Sequence, residues 1–267
     1  MHSLFASGFA KHTRREQQDH AMNELAGSVA IVTGAARNIG RAIALELAQG
    51  GAAIAVTTRA DMKTAETVVE EIVRAGGRAF ALAADIARED QVKHMVEETV
   101  ARYGRLDILV NNASIRPEAP IESITLKDWR QVMSVTLDGP FLCIRAALPH
   151  LEKSGHAAIV NIGGLTAYTG AAHRAHVVAG KAGLDGLTKA LAVELAPRGI
   201  TVNLVSPGLI ETRREGAEPE HRKGRVLLMG RRGRPEEVAA MARFLAGPDA
   251  RYLTGQTIHV NGGAFMP

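Results

Sequence analysis

The chain has 267 residues, 46% of them apolar, 4% aromatic and 22% charged, with a formal net charge of +4. This length and composition suit one large or two small globular domains, and the scatter of basic residues argues against a nucleic-acid-binding protein. A lone cysteine, Cys143, rules out a disulfide within the chain and fits a reducing, cytoplasmic setting; it lies in the apolar run FLCIRAAL and reads as core filler, not as a nucleophile.

Residues 1–24 start apolar, turn polar and basic, and show no signal-peptide cleavage pattern, so they read as a mobile N-terminal tail. No later apolar stretch reads as long enough to span a bilayer, and neither a membrane partner nor a metal site is expected. Beyond the tail, short β-branched runs alternate with amphipathic stretches. Strands are predicted at VAIVT (29–33), AIAVTT (53–58), AFALAAD (79–85), LDILVNNA (106–113), AAIVNI (157–162), ITVNLVS (200–206) and QTIHV (256–260). Helical stretches lie between them, among them GKAGLDGLTKALAVEL, where Leu184, Leu187, Leu191 and Leu195 repeat at helical spacing and predict one buried stripe. Near-continuous apolar strands alternating with helices predict an α/β fold: a Rossmann-type doubly wound parallel sheet of about seven strands with helices on both faces. With no linker or internal repeat, residues 25–267 read as a single domain.

The chemistry starts at the first strand-to-helix turn, VAIVTGAARNIGRAIA. Gly34 and Gly40 bracket it, and the helix that follows offers free backbone N–H groups to a pyrophosphate. Asn38 stands where a middle glycine would let the backbone close tightly; asparagine tolerates a left-handed conformation, so the turn survives the swap. Lys181 raises a different question. In HVVAGKAGL it sits on an apolar helix, and a buried lysine needs a partner or a task.

From about Leu25 to its C-terminus the chain resembles the short-chain dehydrogenase/reductase family. TGAARNIG, with Ile39 beside its second glycine, is similar to the family's glycine motif. Asp85-Ile86 resembles its adenine contact, and NNAS, which contains Asn112 and Ala113, resembles its NNAG. The segment from Pro207 and Gly208 through Ile210 to Thr212 resembles the part that contacts the nicotinamide amide. TGQTIHVNGG matches the C-terminal strand, with Asn261 where aspartate is more usual. The resemblance implies a nicotinamide dinucleotide, a small-molecule substrate and a homotetramer or homodimer. The second strand ends in Thr58 and Arg59 with no acidic residue for a ribose 2′-hydroxyl, and Arg37 lies in the glycine turn. Two arginines suit a 2′-phosphate, so NADP(H) is expected over NAD(H).

The same resemblance implies a working group of tyrosine, lysine, serine and asparagine. Here lysine remains as Lys181, but the tyrosine slot holds Val177, the serine slot Gly164 and the asparagine slot Thr136. Valine moves no proton, and general acid–base help is worth about a hundred- to ten-thousand-fold in rate. His173, four residues before Val177 on the same face if the helix reaches that far, and His176 are candidate replacements. Tyr168 is a further pocket candidate. Arg116 follows NNAS, and the stretch carrying Arg213, Arg214, Arg222 and Arg225 is rich in arginine, which suits an anionic substrate. An atypical NADP(H)-dependent oxidoreductase is the first expectation. A non-redox enzyme (lyase, isomerase or hydrolase) on the same scaffold and an inactive NADP(H)-binding sensor or supporting subunit are the alternatives.

Overall fold

A computed structural model describes residues 23–213 and 227–267. Seven strands form one sheet: β1 (Val29–Val32), β2 (Ala53–Thr58), β3 (Arg78–Ala83), β4 (Ile108–Asn111), β5 (Ala158–Ile162), β6 (Thr201–Pro207) and β7 (Thr257–Val260). Their order is β3-β2-β1-β4-β5-β6-β7, and every pairing is parallel. Strands β1, β2, β4, β5 and β6 are buried along their whole length, as a sheet covered on both faces demands. Between β1 and β4 the winding reverses, which opens a crevice at the carboxyl ends of the strands.

Helices α1 (Asn38–Gln49), α2 (Met62–Arg74), α3 (Glu89–Tyr103), α4 (Leu126–Met133), α5 (Gly139–Leu151), α6 (Thr166–Thr169), α7 (Ala175–Leu195) and α8 (Pro235–Ala246) connect and cover the strands. One face of the sheet packs on Ile43 and Leu47 of α1, Val68 and Ile72 of α2, and Val238 and Leu245 of α8. The other packs on Val92 and Met95 of α3, Cys143, Ile144 and Leu151 of α5, and Leu195 of α7. Alternation of strand and helix in the sequence thus becomes two apolar layers on one sheet. Local signals set the helix starts: Asp61 accepts from the Thr64 N–H ahead of α2, Thr125 and Asp128 form a capping box on α4, and Pro235 with Glu236 and Glu237 opens α8.

Three expectations are corrected. Helix α4, a π-helical turn at Ser134–Asp138 and α5 join into one helix, Leu126–Leu151, which is long and apolar enough by length and composition to cross a bilayer. In this fold its apolar side covers the sheet through Val135, Cys143, Ile144, Ala147 and Leu151. On α7 the buried stripe runs through Val177, Lys181, Leu184, Thr188, Ala192 and Leu195. Leu187 and Leu191 are half-buried on its flank, because at about 100° per residue they fall to one side of the line through Lys181, Thr188 and Leu195. Residues 1–22 lie outside the described residues, but Glu24, assigned to the tail, accepts from Arg243 Nε at 2.5 Å, and Leu25 is in the core.

Candidate active site

After β1 the backbone turns through Gly34, whose φ is +64°. A Cβ there would meet Ala113 Cα at 3.0 Å, and one on Gly40 would strike the Gly34 carbonyl and the Asn112 amide. Asn38 adopts φ +52°, the left-handed backbone expected at that slot. Its side chain does a second job: Oδ1 accepts from Arg213 N at 2.9 Å and Nδ2 donates to Arg213 O at 3.3 Å. Asn112 is turned inward, its Nδ2 donating to Thr33 O at 2.8 Å and Gly34 O at 3.1 Å. Thr33 Oγ1 accepts from the N–H groups of Asn112 and Ala113. Asn112 and Thr33 therefore brace the turn. The α1 N-terminus has no side-chain cap and no acidic residue in its first turn, which leaves its backbone donors and positive dipole end facing the crevice. Ile39 is buried behind it. This donor set fits a pyrophosphate.

Thr58 is buried at the end of β2, with Arg59 exposed beyond it and Arg37 exposed across from it. Hydrogen bonds with Thr64 hold the Asp61 carboxyl below the usual range, and the positive charge of Arg37 adds to this, so Arg37 reaches the same corner. The Asp61 carboxylate itself caps α2. At the end of β3, Asp85 accepts from Ala87 N at 3.0 Å while its own N–H donates to Gln91 Oε1 at 2.8 Å. The neighbouring Ile86 packs so closely on Gly139 that a Cβ there would lie 2.7 Å away. Beyond β6, Pro207 O accepts from Leu165 N, Gly208 N donates to Val260 O, and Ile210 bridges to Gly233. The Thr212 hydroxyl is buried with no partner among the described residues, the kind of group a bound amide would satisfy.

Lys181 is 5% exposed, and its Nζ donates to Ile162 O at 2.5 Å. Burial pushes its pKa down to about 7, helped by the positive charges of Arg116 and Arg174. A polar chain holds α7 to the sheet beside it. Asn111 Nδ2 donates to Asn161 Oδ1, Asn161 Nδ2 donates to Thr188 Oγ1, each at 2.9 Å, and Thr188 donates to Leu184 O. One turn before Lys181, Val177 is buried and apolar. At Gly164 an added Cβ would meet nothing within 4 Å. Thr136 is fully buried in the π-helical turn against Gly180, and its hydroxyl has no partner among the described residues.

The candidate replacements for tyrosine fall elsewhere. Helix α7 starts at Ala175, so His173 is not on it; His173 is exposed on a left-handed backbone (φ +60°), and its carbonyl accepts from Ala119 N. It lines a surface cavity of ≈ 340 Å³ together with Ile121, Glu122 and Arg174. His176 is buried; burial lowers its pKa, with the charge of Arg174 adding to the shift and that of Asp128 on α4 opposing it. Tyr168 leaves the pocket: its hydroxyl donates to Thr257 Oγ1 of β7 at 3.4 Å, and its ring stacks on Phe265 and meets His259 edge-on. Burial raises its pKa to about 12. Arg116 is exposed within electrostatic reach of Lys181, and Arg213 is tied to Asn38 through its backbone. Arg214, Arg222 and Arg225 lie outside the described residues. Sequence reasoning missed Arg174, Asn161 and Thr188. Their signal was polarity in the wrong place: an arginine just ahead of a buried helix, and an asparagine inside the strand AAIVNI.

Residues 34–264 match the family described as enoyl-(acyl carrier protein) reductase. The chain is 43% identical over 240 residues to 3-oxoacyl-[acyl-carrier-protein] reductase FabG of Staphylococcus aureus, an alignment covering 89% of this chain and 98% of that protein. Among solved structures, a dehydrogenase/reductase from Sinorhizobium meliloti superposes with a TM-score of 0.87 at 40% identity, covering 93% of this chain and 100% of that one. A short chain dehydrogenase from Burkholderia cenocepacia, solved in complex with NADP, superposes with a TM-score of 0.85 at 37% identity, covering 91% and 99%.

Proposed function

The chain belongs to the short-chain dehydrogenase/reductase family, and on that premise we propose that it is an NADP(H)-dependent oxidoreductase acting on a small anionic substrate through a non-standard active site. The observation that carries this reading is the pairing of a complete set of dinucleotide-binding features with the buried Lys181 beside it. The Burkholderia relative's complex with NADP supports the cofactor choice. When bound, the nicotinamide supplies or takes up the hydride.

The residues divide the work. The glycine turn and the α1 N-terminus take the pyrophosphate, and Arg37 and Arg59 take the 2′-phosphate by charge-assisted hydrogen bonds. The segment Pro207–Thr212 receives the carboxamide, with the Thr212 hydroxyl free to bond it. Lys181 holds the nicotinamide ribose hydroxyls. Arg116 and Arg213, near the mouth, attract an anionic substrate. Val177 supplies no proton and Gly164 no hydroxyl, so the pocket is wider and drier than one built around tyrosine and serine. A cytoplasmic homotetramer or homodimer completes the reading, and the buried free Cys143 suits that compartment.

Calorimetric titration with NADPH and, separately, NADH tests this. Micromolar binding with NADPH preferred by about tenfold or more is expected, and Arg59→Ala should erase the preference while sparing NADH. Binding of neither cofactor overturns the reading. A second reading, a protein that binds NADP(H) without redox turnover, is favoured by Val177 alone. The double variant Val177→Tyr, Gly164→Ser separates the two. The open space at Gly164 accepts the serine. Gain of ketone reduction by about a hundredfold or more is expected if the remaining frame is intact. No gain, with NADPH binding retained, sides with the non-catalytic reading.

A further inference from the structure

With His173 outside α7, His176 buried between the charges of Arg174 and Asp128, and Tyr168 held on β7, the group left among the described residues to move a proton at this site is the lysine. Lys181 carries three N–H donors, and among the described residues the structure shows one acceptor for them, Ile162 O. One turn earlier Val177 presents only methyl groups, and the space beyond Gly164 is open. No side-chain hydroxyl at either slot stands between a substrate oxygen and the amine. The surrounding charge also favours proton release. Arg116 reaches Lys181 from the loop after β4, and Arg174, itself 4% exposed, from the turn before α7. Other ionisable groups nearby have their own surroundings: the charge of Asp128 on α4 acts on His176, and Asp185 pairs with Lys189 and accepts from Thr257 on β7. From the π-helical turn between α4 and α5, the neutral Thr136 packs on Gly180, the residue before Lys181.

We propose that Lys181 is itself the proton donor: its ammonium passes a proton to the substrate's carbonyl oxygen as the carbonyl carbon accepts hydride from the reduced nicotinamide. This rests on the oxidoreductase reading above. The C=O π bond is replaced by new C–H and O–H bonds, the cofactor leaves oxidised, and Lys181 is left as a neutral amine that regains its proton from solvent once product leaves. Arg116 and Arg174 weaken the hold of the amine on its proton, and Arg116, at the exposed side of the site, draws in a carboxylate next to the carbonyl. In the reverse direction the neutral amine accepts the alcohol proton.

The decisive experiment is an NMR titration of protein carrying ¹³C at lysine Cε, with Lys181→Arg used for assignment. A Lys181 midpoint at about 7 is expected, and one above about 9 overturns the proposal whatever the activity. Reduction of pyruvate, 2-oxobutyrate and acetoacetate by NADPH is followed in parallel. The rate should fall as pH rises through about 7, because the donor form is lost. Lys181→Arg keeps a cation for the ribose but releases no proton at these pH values, so NADPH binding within about fivefold and turnover reduced at least about a hundredfold are expected. Unchanged turnover in that variant, or a borohydride-stable adduct of Lys181 with an oxo acid, overturns the proposal alone. Failure of the wild-type protein to bind NADPH overturns the oxidoreductase reading with it.

Discussion

At position 38 the backbone asks for glycine and the side chain argues for asparagine. The φ of +52° costs an ordinary L-residue about 1–2 kcal/mol, and asparagine less. Glycine would satisfy that demand, yet the Asn38 amide also grips both backbone polar groups of Arg213, 175 residues away. The two roles separate by substitution. Asn38→Ala is expected to lose about 1–2 kcal/mol in urea unfolding, whereas Asn38→Gly, which meets the backbone need, stays within about 1 kcal/mol of the parent. Equal losses in the two variants would show that the amide clamp, not the backbone, carries the stability. Lys181 is also decided at this scale. Its neighbours, not its type, set its charge, since the same residue in solvent would stay fully protonated at neutral pH.

Between elements, the chain of Asn111, Asn161 and Thr188 stitches β4 to β5 and β5 to α7. Asn161 immediately precedes Ile162, whose carbonyl receives the Lys181 ammonium, so the register of α7 on β5 aims the lysine. Replacing Asn161 by leucine removes the middle link and strands the Asn111 amide in a buried site. A loss of about 2–3 kcal/mol in chemical denaturation is expected, together with weaker NADPH binding. Thr188→Val removes the last link of the chain and the Thr188 bond to Leu184 O, and should cost about 1–2 kcal/mol. If both variants are as stable as the parent, the chain is not what holds α7 in register. The π-helical turn at Ser134–Asp138 acts at the same scale: it presents Thr136 to Gly180, where a Cβ would already approach Thr136 Cγ2 to 3.0 Å.

For the molecule as a whole, the buried lysine makes stability depend on pH in an unusual direction. In the cofactor-free protein Lys181 releases its proton at about 7, whereas a lysine in the unfolded chain holds it to about 10.4. Between those values the unfolded chain binds more protons, so this group raises folded stability as pH rises, by at most about 1.4 kcal/mol per unit. Below about 7 both states are protonated and the contribution is flat. Urea unfolding at pH 6.5, 7.5, 8.5 and 9.5 checks this against Lys181→Met, which should lack the rise and be the more stable of the two at the acid end. Parallel pH profiles for the two proteins would remove the perturbed lysine from the account.

The amino-acid sequence by itself determined the sheet and the half of the site built from contiguous residues. The predicted strands lie within two residues of those observed at either end, because a strand buried on both faces must be a short unbroken apolar run. The glycine turn, the left-handed Asn38 and Lys181 were legible for the same local reason: each backbone or burial demand falls on a residue type that shows it. Tertiary structure alone decided where the neighbouring side chains go. His173 lies four residues before Val177 and Tyr168 four after Gly164, yet the left-handed residue ahead of α7 keeps the first off the helix, and β7 captures the second. Arg174 beside Lys181, the asparagine chain across β4 and β5, and the Asn38 clamp on Arg213 join segments that only the sheet order brings together. Such contacts leave no periodic trace in the chain, because irregular turns set their direction and strands distant in sequence set their partners.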